Sequence, residues 1–235
     1  MANAHSSTLH HHFESYDQQR NASSLGMWLF LAQEVMFFGG LFTAYMIYRT
    51  QNSLDFAIAS SELDIWLGGI NTAILIASSF TMAMAVKMAM LAKRNALVLN
   101  LILTLILGSG FLVIKYFEYS AKFEHNTVPG AHFEFHVEED LITKFNLTPE
   151  RLNTMEDRAE IFFSLYFMMT GLHALHMVIG IGIGIWLLFP AMAGKFNMDY
   201  HNPVENFGLY WHFVDLVWIF LFPLLYLLGR NVHAA

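Results

Sequence analysis

Residues 161–193 read IFFSLYFMMTGLHALHMVIGIGIGIWLLFPAMA, about 33 positions without an Asp, Glu, Lys or Arg. A helix crosses a bilayer with about 20 apolar residues, so this run is long enough to span and to extend beyond. Pro190 is expected to mark its end. Gly180 and Gly184 form a GxxxG pair inside it, the spacing that lets two membrane helices approach closely. The run fixes the class of the molecule, because a backbone in hydrocarbon must satisfy its own hydrogen bonds and does so here as helix.

Outward from this run, the same reading recurs four times. Residues 24–48 carry Trp28 near one end and Tyr45 and Tyr48 near the other, as interfacial aromatics do. Residues 65–86 are uncharged and rich in small side chains, with Asn71 and Thr72 available to bond across a helix contact. Residues 96–114 are apolar, and the helix is expected to leave the hydrocarbon through Lys115 and Glu118 to residue 119. Residues 206–229 make the last span, ending near Arg230. The expected fold is an all-α, polytopic membrane bundle of five transmembrane helices at about 24–48, 65–86, 96–119, 161–189 and 206–229, within residues 23–230. Residues 1–22 are read as a polar arm without an apolar signal-peptide core, and 49–64 as a short polar loop.

Composition agrees. The chain is 56% hydrophobic and only 13% charged, where a soluble domain carries about 25% charge. It has no cysteine, which excludes disulfides, iron–sulfur clusters and thiolate chemistry in this chain. A net charge of −7 argues against a nucleic-acid partner. Arg20, Lys93, Arg94 and Lys195 favour a cytoplasmic N-terminus, with Arg49 and Arg230 opposing. An odd number of spans then places the C-terminus, and the acidic loop 120–160, outside the cytoplasm. In that loop one or two short helices are expected, with Thr148 and Pro149 as N-cap and first helical residue. His10, His11 and His12 look like a metal site but are read as an incidental cluster on the arm, and His132 and His136, which with nearby carboxylates could bind a metal, are read mainly as part of a solvated acidic loop that also holds His125.

Few polar side chains fall inside the spans. Glu34 is the only charged residue of its run, and a carboxylate at that depth costs about 2.5–3.5 kcal/mol on insertion scales. The other candidates are Glu118, His173, His176, His212 and Asp215, with Asn71 beside them. His173 and His176 are three residues apart, as are His212 and Asp215, so each pair shares a helix face. Several readings stay open on these residues alone. The histidines can ligate haem or a metal, although axial haem ligands normally come from separate helices. The carboxyls can serve ion or proton transport, although no internal repeat is visible. Or the groups pair helices within the bundle, His212 and Asp215 satisfying each other or reaching Glu34 or His173.

Strings in a fixed order add a further reading. Residues 26–38, GMWLFLAQEVMFF, resemble the opening helix of the core of subunit III of haem–copper oxidases, and residues 71–79, NTAILIASS, resemble its next helix. Glu118 and Tyr119 fall where that family has a Glu-Tyr pair. Residues 170–180 resemble its Gly-x-His-x-x-His helix, and residues 210–218, YWHFVDLVW, match its most specific signature. The resemblance is to the five-helix form of cytochrome c oxidase subunit 3. It implies an accessory subunit with no catalytic, cofactor or metal site of its own, supporting subunit I, proton uptake and turnover stability in aerobic electron transport. It implies haem and copper in partner subunits, contacts with subunits I and II and a cytochrome c module, bound membrane lipid, and a bacterial plasma-membrane location. An aa3-type cytochrome c oxidase is the expected complex. The alternatives are a quinol oxidase or the related accessory protein of a nitric oxide reductase. By resemblance, Glu34 is expected beside the proton-uptake side of subunit I.

Overall fold

The computed structural model describes residues 13–124, 126–130, 133–198 and 200–227. His10, His11, His12, His125, His132, Gly229 and Arg230 lie outside the described residues. The described chain forms seven helices and no strand: α1 Tyr16–Gln51, α2 Ser53–Ser61, α3 Ile65–Met90, α4 Arg94–Glu124, α5 Glu139–Lys144, α6 Pro149–Met192 and α7 Asn202–Tyr226. Five of them, α1, α3, α4, α6 and α7, are long and apolar enough to cross a membrane. The molecule is therefore a multi-pass membrane protein, and each of these five helices contributes a segment to each of two compact units.

One unit holds the chain up to Phe37 with Leu75–Ser109 and His176–Leu216. Its packing is set by glycines facing aromatic rings. A Cβ added to Gly180 would stand 2.9 Å from Tyr210, and one added to Gly184 would stand 2.7 Å from Leu105 and 3.0 Å from Phe207. The GxxxG spacing thus makes the close contact it predicts, while Gly182 between them faces open space. Gly108 and Gly208 take Trp211 and Val86 in the same way. Polar side chains tie the helices across these contacts: Trp211 Nε1 donates to Ser78 Oγ at 2.9 Å, and the hydroxyls of Thr81 and Thr104 meet at 2.8 Å.

Pro190 lies inside α6, which ends two residues later at Met192. Gly194, with φ +69°, turns the chain back, and the Gly194 and Lys195 amides bond to Ala191 and Pro190 carbonyls at 3.0 Å each. Arg94 closes the same end by donating to the Met192 carbonyl. In the following turn Tyr200 packs on Phe196 and Tyr16, and burial raises its hydroxyl above the ordinary tyrosine range.

The other unit holds Phe38–Ile74, Gly110–Leu175 and the chain from Val217. Here the structure departs from a polar loop at 49–64. Nine of those residues form α2, whose Phe56, Ile58 and Ala59 are buried. Phe56 packs edge-on against Tyr45 and Phe162, with centroids 5.6 and 5.5 Å away. Ser60 Oγ donates to the Leu225 carbonyl at 2.6 Å, and Tyr45 OH to the Leu224 carbonyl at 2.9 Å. Asp55 is fully buried and receives Arg151 at 2.6 Å and Arg158 at 2.7 Å.

These two arginines belong to α6, which begins at Pro149 rather than near 161. Thr148 Oγ1 accepts from the Arg151 amide at 3.4 Å, as the N-cap reading expects. α5 lies in the acidic stretch, and Leu141 joins Ile58 and Met155 in a small core flanked by Phe135, Val137, Phe145 and Leu147. Residues 133–160 are thus packed on α2 through apolar contacts, beneath an exposed acidic surface that includes Glu138, Glu139 and Asp140.

Candidate functional sites in the spans

Glu34 meets a histidine. His176 Nε2 stands 3.2 Å from Glu34 Oε2, and both side chains are largely buried. Glu34 belongs to the narrow buried stripe of α1 formed with Leu31 and Phe38, one and two turns apart on a single face. His176 is placed by α6 just before the Gly180 contact, and its own carbonyl accepts from Tyr210 OH at 2.8 Å. Tyr210 stacks on Phe30 at 5.9 Å. The arrangement joins α1, α6 and α7 through one carboxyl, one imidazole and one phenol. The approach of imidazole to carboxyl is close, but Glu34 Oε2 has no hydrogen bond of good geometry.

The two histidines of the His-x-x-His string fall in different units, His176 in the first and His173 in the second. His173, fully buried, lies against Phe111 at 5.4 Å and Trp218 at 5.3 Å. His212 and Asp215 are not each other's hydrogen-bond partners. His212 Nδ1 meets Ser79 Oγ of α3 at 2.7 Å, and this contact replaces the pairing expected along α7. Both Asp215 oxygens are buried without a hydrogen bond of good geometry, although the Ser79 hydroxyl lies beside them. A pair at i, i+3 shares a face, but Ser79 on α3 lies in the path of that face and takes the imidazole. Asn71 is also fully buried, and its amide atoms have no partner among the described residues.

A second cluster centres on Glu118. Tyr166 OH donates to Glu118 Oε1 at 2.6 Å, and Tyr226 OH donates to the same oxygen. Lys115 Nζ stands 3.0 Å from Glu118 Oε2 and donates to Tyr226 OH at 2.6 Å. Lys115 and Glu118 are 3% and 4% exposed, so this is a buried ion pair and not the exit of a helix into water. Four rings surround the ammonium: Trp218 at 4.7 Å, Tyr226 at 5.2 Å, Tyr166 at 5.3 Å and Tyr119 at 5.7 Å. Such rings attract a cation through their faces. Tyr119, the neighbour of Glu118, bonds Thr170 Oγ1 at 2.6 Å. Sequence reasoning singled out Glu118 but not Lys115, Tyr166 or Tyr226. The available signal was the i, i+3 spacing of Lys115 and Glu118.

No group of three or more His, Cys, Asp or Glu side chains able to hold a metal occurs among the described residues. His136 is exposed in the acidic stretch and forms no such group.

Comparison with known proteins places these features. The family described as cytochrome c oxidase subunit III matches residues 152–230, which include His173, His176, His212 and Asp215. Cytochrome c oxidase subunit 3 of a Synechocystis species is 34% identical over 86% of this chain and 74% of its own length. The protein of that name from Thermostichus vulcanus is 30% identical over 88% and 87%. A probable quinol oxidase subunit 3 from Staphylococcus epidermidis is 27% identical over 92% and 94%. With one such relative above 30% identity along most of its length, the chain belongs to the cytochrome c oxidase subunit III family.

Proposed function

We propose that this chain is the non-catalytic third subunit of a terminal haem–copper oxidase, an aa3-type cytochrome c oxidase in a bacterial plasma membrane. Family membership over most of the chain is the observation that carries the reading. In it, subunit I is the main partner, subunit II and a cytochrome c module share the complex, and haem and copper belong to the partners. The chain's own work is positional. The Glu34–His176 pair and the Glu118 cluster hold the helices that face subunit I, and Glu34 serves proton uptake there. The N-terminus is cytoplasmic, and the acidic surface on α2, α5 and the start of α6 is extracytoplasmic.

The test is removal of this chain from the complex in its native membrane. The reading expects a complex that still reduces oxygen but inactivates within fewer turnovers. It also expects Glu34→Gln to reproduce part of that loss without releasing the subunit. A complex with unchanged turnover lifetime would overturn it. The Staphylococcus relative supports a second reading, in which the donor is a quinol. The spectrum of a dicopper centre in the copurified complex separates the two.

A further inference from the structure

A cavity of about 430 Å³ lies in the first unit, between the start of α1, the C-terminal part of α6 and the turn that leads into α7. Most of its wall stands outside the spans: α1 contributes from Phe13 to Ser23, and the chain around the start of α7 contributes Tyr200, Asn202 and Pro203. Tyr16 and Tyr200 meet nearly edge to face, with centroids 6.0 Å apart and planes at 76°, and so form an aromatic corner. Trp186 of α6 lines the cavity as well, and it is 65% exposed. Two polar groups of the lining are uncommitted. Arg20 is its only charged side chain and has no ion pair among the described residues. The Asn202 side-chain amide has no hydrogen bond among the described residues.

We propose that this cavity binds a purine nucleoside monophosphate of the adenine type. Flat heteroaromatic rings stack on indole and phenol faces, which Trp186 and the tyrosine corner provide. A side-chain amide pairs with the adenine edge through N6 and N7, and a guanidinium holds a phosphate through two parallel N–H donors. Asn202 and Arg20 supply one of each. A single lining cation matches a single phosphate group. Glu14 and Asp17, exposed on the neighbouring positions of α1 and outside the lining, set like charge against a di- or triphosphate. A phosphate without a ring would leave the aromatic wall unused. The cavity belongs to this chain alone, so the site goes beyond the oxidase reading and stands without it.

The experiment uses the intact complex in nanodiscs of phosphatidylcholine. Binding of radiolabelled adenosine monophosphate is measured by equilibrium dialysis for wild type, Arg20→Gln, Trp186→Leu, Asn202→Ala and, as control, Glu139→Gln on α5. Each cavity variant should bind about tenfold more weakly, and the control should match wild type. Guanosine monophosphate should bind wild type about tenfold more weakly than the adenosine form, and Asn202→Ala should lose that preference. Absence of binding, equal binding by every variant, or inorganic phosphate binding as tightly as the nucleotide overturns the site. Loss of nucleotide binding when phosphatidylglycerol replaces part of the disc lipid assigns the cavity to a lipid phosphate and overturns it too. Should a variant fail to assemble, a photoreactive azido-adenosine monophosphate on wild type must label residues 13–23, 186 or 200–203, and labelling elsewhere rejects the site. Copurifying subunits are identified separately, so a failure of the oxidase reading is distinguishable from a failure of the cavity.

Discussion

Replacing Lys115 by Met probes the buried cluster of the second unit most directly. The change keeps the length and apolar volume of the stem and removes the ammonium. Three donors then become two for Glu118: Tyr166 OH and Tyr226 OH remain on Oε1, while Oε2 loses its partner at 3.0 Å. Breaking a buried pair by removing one partner costs about 3–5 kcal/mol. The two phenol donors that remain place the expected loss near the lower end, about 3 kcal/mol. Glu118→Gln should cost less, about 2 kcal/mol, because the amide oxygen still accepts from the tyrosines and the ammonium keeps Tyr226 OH and four ring faces. The double variant leaves neither charge unpaired. The two losses should therefore fall short of additivity by about 1–3 kcal/mol. The assay is equilibrium unfolding in mixed micelles followed by tryptophan fluorescence, since Trp218 lies 4.7 Å from the ammonium. A loss below about 1 kcal/mol for Lys115→Met, or additive losses within about 0.5 kcal/mol, would refute the account of the cluster as a mutually dependent pair.

Other outcomes follow from the geometry. Gly180→Ala should destabilise by about 1–3 kcal/mol, because the new Cβ meets Tyr210 at 2.9 Å and Trp211 at 3.1 Å and these rings cannot swing away. Gly182→Ala, facing open space two residues on, should be neutral or stabilising by up to about 1 kcal/mol, and the contrast is read in the same unfolding assay. Asp55→Asn should loosen the packing of residues 133–148 on α2, since Arg151 and Arg158 lose their common carboxylate. Faster hydrogen exchange or protease cutting confined to that stretch is the measurement, and unchanged protection would reject the clasp. His212→Phe should free the Ser79 hydroxyl without disturbing His176. If it instead lowers turnover lifetime as much as Glu34→Gln, the two histidines do not act separately.

The class of fold was legible from hydropathy, because a span must be apolar over its whole length whatever it packs against. What hydropathy cannot express is a charge compensated inside the bundle. Lys115 and Glu118 sit where a helix ordinarily meets headgroups, and sequence alone reads them as that exit. Tyr166 and Tyr226, 48 and 108 positions from Glu118, are what bury them. The same holds for α2. Its Asp55 makes the segment look like a solvated loop until Arg151 and Arg158, 96 and 103 positions away, cancel the charge and leave Phe56 and Ile58 free to pack. Spacing along one helix also predicts a shared face better than a bond. His212 and Asp215 share a face, and Ser79 from another helix takes the imidazole.

Glu34 is the case where depth in the membrane and partner chemistry have to be read together. Its depth predicts only that the carboxyl must turn away from lipid. The structure answers with a buried stripe one side chain wide on α1 and an imidazole at 3.2 Å from α6. Gln33 and Val35 on either side are exposed, so a rotation of α1 by one residue would carry the carboxyl into hydrocarbon. The pair thus fixes the rotation of α1 as well as its contact with α6. Any substitution that keeps a hydrogen-bond acceptor facing His176 should preserve that rotation. One that removes the acceptor, such as Glu34→Leu, should lose it, and cross-linking of introduced cysteines at Val35 in this cysteine-free chain would report the turn.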